Sequence, residues 1–158
     1  MINKLSFALT CLSIVSTYCS ATSSHQSDAT HLVSVFQGQV LTSLDDYTVF
    51  LTYNISQDAS QLWYFDYSND DIAVLKHVAS DLVLQVDNKG DVSLGIEGTD
   101  QQNQLWQFDE DGGYLINSQY GLPLVLSVKD ENNAEGAQIH LEEKERTTSK
   151  KWLFSKVM

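Results

Sequence analysis

Three tryptophans recur in the same local setting, and no other feature of the sequence restricts the fold as strongly. They lie in Gln61-Leu62-Trp63-Tyr64-Phe65, Gln104-Leu105-Trp106-Gln107-Phe108 and Lys150-Lys151-Trp152-Leu153-Phe154, with Trp-to-Trp spacings of 43 and 46 residues. Trp and Phe are two positions apart in each string, so both fall on one face of an extended strand. A buried ring pair returning at this period requires one supersecondary unit repeated three times.

The same register holds elsewhere. The alternating apolar pairs Val49/Leu51, Val92/Leu94 and Ile139/Leu141 begin 14, 14 and 13 residues before the three tryptophans. Leu41, Leu84 and Leu126 precede them by 22, 22 and 26 residues, and a further apolar stretch opens each repeat, at Leu32 to Phe36, Ile72 to Leu75 and Tyr114 to Ile116. Each repeat therefore predicts four short strands separated by turn-forming runs such as Asp87-Asn88-Lys89-Gly90 and Asp130-Glu131-Asn132-Asn133. Repeats of about 31–70, 71–112 and 113–158 give about twelve strands. No window carries a helical stripe. Propeller blades have this length too, but closing a propeller takes four or more of them. The expectation is an all-β, closed, pseudo-threefold domain over residues 31–158, large enough to bury roughly two-thirds of its unfolded surface.

Residues 1–21 predict a secretory signal peptide. Lys4 gives a weakly positive start, Leu5 to Thr17 are largely apolar, and Cys19-Ser20-Ala21 offers small residues for cleavage. The apolar run is well short of the roughly 20 residues that span a bilayer, so neither an anchor nor membrane insertion is expected. The product is expected to be secreted and extracellular, with residues 22–30, rich in Ser and Thr, as a flexible lead-in. Both cysteines, Cys11 and Cys19, fall in the leader, so the domain rests on its core without a disulfide. The formal charge is −12, and −13 once Lys4 leaves with the leader. That field repels phosphate backbones and argues against nucleic acid as a partner.

Three Gln-x-Trp-like motifs at this spacing, each closing a four-strand repeat with a leucine in its second strand, resemble the ricin B-type lectin family. The resemblance covers the chain from about residue 30 to 158 and implies a β-trefoil; Lys150 departs from it in the third repeat. It also implies that Gln61, Trp63, Gln104, Trp106 and Trp152 hold the repeats together as core residues. Sugar contacts in that family come from an acidic residue after the second-strand leucine, an aromatic ring after the third strand, and an Asn beside the Gln. Polar groups bond the hydroxyls while the ring packs on the apolar sugar face. In this sequence the acidic position holds Thr42, Gln85 and Ser127. The ring position holds Thr52, Gly95 and Glu142, with Tyr53 adjacent as a substitute ring. The Asn position holds Ser60, Asn103 and Ser149. The second repeat is accordingly the leading carbohydrate-binding candidate, with Gln85, Asp87, Ser93 and Asn103 converging in a shallow pocket. Ser127, His140 and Glu142 form a secondary set.

Catalytic chemistry has little material here. The four histidines, His25, His31, His77 and His140, show no metal-ligand spacing, and there is no phosphate-cradling glycine loop. No cofactor or metal is expected, and no enzymatic activity. Asn54-Ile55-Ser56 is an N-glycosylation acceptor sequence on a predicted loop. Two functions follow as expectations. One is a noncatalytic module binding glycans or glycoproteins. The other is a protein-interaction trefoil with degenerate sugar positions, acting as a toxin subunit, a coat or spore-wall component, or an inhibitor with a protein partner in a larger complex.

Overall fold

The computed structural model describes residues 25–45, 47–68, 71–99, 101–110, 114–120 and 123–157. Residues 1–21, expected to be a signal peptide, lie outside them. Every predicted strand forms. The first strands of the repeats are β2 (Thr30–Ser34), β6 (Ile72–His77) and β10 (Tyr114–Ser118). The second are β3 (Val40–Thr42), β7 (Val83–Val86) and β11 (Leu124–Val128), and the third β4 (Phe50–Thr52), β8 (Val92–Gly95) and β12 (Ala137–Glu143). The fourth are β5 (Trp63–Tyr67), β9 (Trp106–Glu110) and β13 (Trp152–Lys156). A thirteenth strand, β1 (His25–Gln26), precedes them and pairs with Tyr67 and Asp66 of β5. The segment expected to be a flexible lead-in is therefore laid down over its described part. Ser27 N–H also donates to the Phe65 carbonyl at 2.9 Å, and Thr30 is already buried in β2. The reason is that β5 runs past the start of β2, and its unpaired edge needs a partner.

First and fourth strands close a six-stranded barrel. Each fourth strand pairs with the first strand of its own repeat, as in Thr30 with Trp63, Ala73 with Trp106 and Tyr114 with Trp152. It also pairs with the first strand of the next repeat, β5 with β6, β9 with β10, and β13 back onto β2. The second and third strands make three hairpins that cap one end. These lean on one another through Leu51 opposite Ala137, an Asp91–His140 bridge, and the Leu94 N–H donating to the Tyr47 carbonyl at 2.9 Å. In the β7–β8 turn, Gly90 has φ +88°, and its carbonyl accepts from Leu141 N–H at 2.9 Å, tying the second hairpin to the third.

The core repeats as the strands do. Trp63, Trp106 and Trp152 are fully buried, and each indole N–H donates to the carbonyl of its repeat's second-strand leucine. The distances are 3.2 Å to Leu41, 3.0 Å to Leu84 and 3.0 Å to Leu126. Two residues on, Phe65, Phe108 and Phe154 meet on the threefold axis with ring centroids 5.3, 4.9 and 5.5 Å apart. A 3₁₀ turn precedes every tryptophan strand, at Ala59–Gln61, Gln102–Gln104 and Thr148–Lys150. The extra 3₁₀ turn Lys129–Glu131 sits in the longer third hairpin and accounts for its 26-residue leucine-to-tryptophan spacing.

The residue ending each 3₁₀ turn anchors the preceding loop. Gln61 accepts from Ser56 N–H at 2.7 Å and donates to the Asn54 carbonyl at 2.7 Å. Gln104 does the same with Gly98 N–H and the Ile96 carbonyl, both at 2.9 Å. Lys150 can only donate, so the third repeat supplies carboxylates instead. Its ammonium lies 3.1 Å from Glu142 and 3.2 Å from Glu145. Burial pushes the Glu142 carboxyl up, but hydrogen bonds from His140, Lys150 and Ser127 outweigh it and hold the group below its ordinary value.

Two stability predictions follow from this core. Trp106→Ala is expected to lower unfolding free energy by roughly 3–5 kcal/mol in denaturant melts, as truncation of a buried aromatic does. An unchanged midpoint would place Trp106 outside the core. Glu142→Gln is expected to cost about 1.5–3 kcal/mol at neutral pH, the range for hydrogen bonds to a charged group. Because the folded carboxyl titrates below its usual 4.5, its stabilisation is present above that value and fades as pH falls through the folded value. Thermal melts of the variant and the parent should therefore converge in acid; a constant gap down to acid pH would exclude this origin.

Candidate functional site

The Gln-x-Trp ladder orients the outer faces of the repeats, because the glutamine and its neighbour sit between the second-strand end and the loop after the third strand. In the second repeat this places Gln85 opposite Ser93 in the β7–β8 ladder. Gln104 Nε2 donates to Gln85 Oε1 at 3.1 Å, and Asn103 Nδ2 donates to the Val86 carbonyl at 3.2 Å. Gln85, Ser93 and Asn103 thus share one partly exposed polar face. Asp87 stands at its edge with a different job. Its Oδ1 accepts from Lys89 N–H at 2.8 Å and Asp91 N–H at 3.0 Å, closing the hairpin turn. Those backbone bonds, the one from Lys89 first, hold its carboxyl below the ordinary range.

Gly95 explains the conformation of Gln85. A Cβ built on Gly95 would lie 2.3 Å from Gln85 Oε1, so the glutamine folds over the bare backbone of the residue that occupies the ring position. A larger residue at 95 would displace it. An aromatic residue of the neighbouring repeat is tied to the second repeat through its backbone. Tyr47, whose carbonyl holds Leu94 N–H, has 69% of its surface exposed. Sequence spacing gives no sign of this, because the contact joins two repeats. A groove of about 510 Å³ also opens beside Gln104, lined by Glu97, Gly98, Thr99 and Gln101 together with Ser68, Val74 and Leu105. Glu97, Gly98, Thr99 and Gln101 lie outside every motif, so the sequence does not single them out.

The secondary set in the third repeat is brought together, but by its own contacts. His140 Nε2 is 2.6 Å from Glu142 Oε1, and Ser127 Oγ donates to Glu142 Oε2 at 3.0 Å. Lys150 completes the group, so Glu142 serves as the anchor that Gln provides elsewhere. Ser149 Oγ meets Glu131 at 3.2 Å. Ser127 is wholly buried, which leaves this face little polar capacity for a ligand.

In the first repeat Thr42 and Thr52 are buried and present no face. Tyr53 is 47% exposed, but its hydroxyl donates to the Asn133 carbonyl at 2.5 Å, and its N–H donates to Glu135 at 3.1 Å. Its ring is thereby tied to the third-repeat loop. Asn54 is exposed on the loop after β4, with its carbonyl engaged by Gln61. His31 and His77 are buried, bonding Ser56, and Ser60 with Ser80, respectively. No group of three or more His, Cys, Asp or Glu side chains among the described residues could hold a metal ion. Among the same residues no helix is long and apolar enough to cross a membrane.

Residues 59–142, more than half of the chain, match the family described as ricin-type beta-trefoil lectin domain-like. No curated protein matches the chain. Among solved structures, the designed threefold-symmetric protein ThreeFoil superposes with a TM-score of 0.73 at 20% identity, over 82% of this chain and 99% of its own. The C-half of the earthworm R-type lectin, solved in complex with GalNAc, gives 0.68 at 15% identity over 82% and 98%. A mosquitocidal holotoxin gives 0.74 at 17% identity over 82% of this chain but 16% of the toxin. These likenesses establish the trefoil. With its three Trp-to-leucine bonds, closed six-stranded barrel and matched segment, the chain belongs to the ricin-type β-trefoil lectin domain-like family.

Proposed function

We propose that the chain is a secreted, noncatalytic carbohydrate-binding module whose working face is the second repeat. The observation carrying this reading is the polar face of Gln85, Ser93 and Asn103 beside exposed Asp87. Amide, hydroxyl and carboxylate groups suit the vicinal hydroxyls of a sugar. Tyr47 supplies the ring that Gly95 lacks. The face is shallow, so each contact is weak, and useful avidity comes from several modules meeting a multivalent glycan. The earthworm lectin half bound to GalNAc supports the class of ligand, while the glycan recognised by this chain is set by its own residues.

A protein-interaction role has one specific observation in its favour. Leu44, Ile55 and Ile96 are 78%, 51% and 82% exposed on loops of the first two repeats, apolar surface that a protein partner would cover.

The decisive experiment is a glycan-array screen of residues 22–158 with Asn103→Ala and Tyr47→Ala beside the parent. Binding reduced at least tenfold by each substitution, with an unchanged melting temperature, is the expected outcome. Binding that survives both substitutions moves the site to another repeat. Absence of glycan binding, together with a stable complex that Leu44→Ser and Ile96→Ser dissolve, would replace this reading with the protein-interaction role.

A further inference from the structure

The barrel has a second feature unrelated to the repeat faces. The fourth strands start beside the hairpin cap and run away from it, so their ends surround the opposite mouth of the barrel. Above that mouth the Phe65–Phe108–Phe154 triad keeps threefold symmetry. Two residues further on, the period-2 alternation brings Tyr67, Glu110 and Lys156 to the next level, and the symmetry ends. A ring, a carboxylate and an ammonium stand where three equivalent groups would be expected.

The mouth encloses a recess of two lobes. The smaller, about 240 Å³, is lined by Tyr67, Asp71, Phe108, Glu110, Tyr114 and Phe154. The larger, about 460 Å³, shares Tyr67, Tyr114 and Phe154 and extends to β1 and Lys156. Tyr114 stacks on Phe154 at 4.2 Å with planes 7° apart, and Tyr67 meets Phe108 edge-on at 6.2 Å. Four aromatic side chains therefore wall the smaller lobe in fixed orientations. Burial, and then Tyr114, push the Tyr67 phenol up from its ordinary value, so this ring stays neutral across physiological pH.

Charge selects among ligands that could enter. Both charged side chains lining the smaller lobe are carboxylates, Asp71 and Glu110. The single cation at the mouth among the lining residues, Lys156, belongs to the larger lobe and points its ammonium to Asp28 at 3.4 Å. Aromatic faces attract a weakly hydrated cation through their quadrupole, and the exposed Glu110 carboxylate adds Coulomb attraction. A compact inorganic ion would lose its water shell against the rings without recompense. We propose that the smaller lobe is a binding site for an organic cation, with an alkylammonium headgroup seated among Tyr67, Phe108, Tyr114 and Phe154 and facing Glu110. This site is separate from the second-repeat face and does not depend on glycan binding.

Choline chloride titrated into the full chain and followed by NMR chemical shifts tests it, with 3,3-dimethylbutan-1-ol as the uncharged probe of the same shape. Saturable choline binding is expected, with the alcohol about tenfold weaker because it lacks the cation–ring and charge contributions. Glu110→Gln, an exposed and near-isosteric change, should weaken choline several-fold and leave the alcohol unaffected. Tyr67→Leu should weaken choline about tenfold while the melt still shows a folded domain. The proposal is overturned if choline shows no saturable binding, if the alcohol binds as well as choline, or if Glu110→Gln leaves choline affinity unchanged.

Discussion

The hydrogen bond from each tryptophan indole to a second-strand leucine carbonyl is the contact on which the rest of the molecule depends. A buried indole N–H without an acceptor costs free energy, so the ring has few places it can sit. Bonded to Leu41, Leu84 or Leu126, it fixes the start of a barrel strand against a cap hairpin. Once that point is fixed in three repeats, the phenylalanine two residues on must reach the axis, and the three rings meet there. Barrel and cap are thereby locked together by one interaction made three times.

Away from this interior the repeats diverge, and the reason is solvent. A core position must fit the same space in every copy, whereas an outer position has water as an alternative partner. The glutamine anchor shows the transition between these regimes. It is retained in two repeats, and in the third Lys150 takes its place only because Glu142 and Glu145 are there to receive it. The exchange commits Glu142, His140 and Ser127 to holding the loop. One structural change thus commits this face of the third repeat to internal contacts.

The two regions of interest differ in how they could recognise anything. The second-repeat face is polar, open and shaped by Gln85 folding over Gly95. The barrel mouth is aromatic, recessed and acidic along its smaller lobe. They lie at opposite ends of strands β6 and β9 and share no side chain, so occupancy of one places no steric demand on the other.

The sequence alone determined the all-β class, the three repeats, four strands in each, and the identity of the core. These follow from spacing, because alternation and recurrence are local properties that the chain carries in one dimension. The family resemblance carried by its motifs added that Gln61, Trp63, Gln104, Trp106 and Trp152 are structural. Tertiary structure alone decided where surface side chains spend their hydrogen-bonding capacity. Asp87 is used by its own turn, Glu142 by Lys150, and Tyr53 by a loop 80 residues away, whereas Tyr47 is brought beside Leu94 from another repeat. The β1 pairing and the chemistry of the barrel mouth were equally illegible, since each joins strand ends from different repeats. Spacing says which face a residue is on; only the closed barrel says what stands opposite.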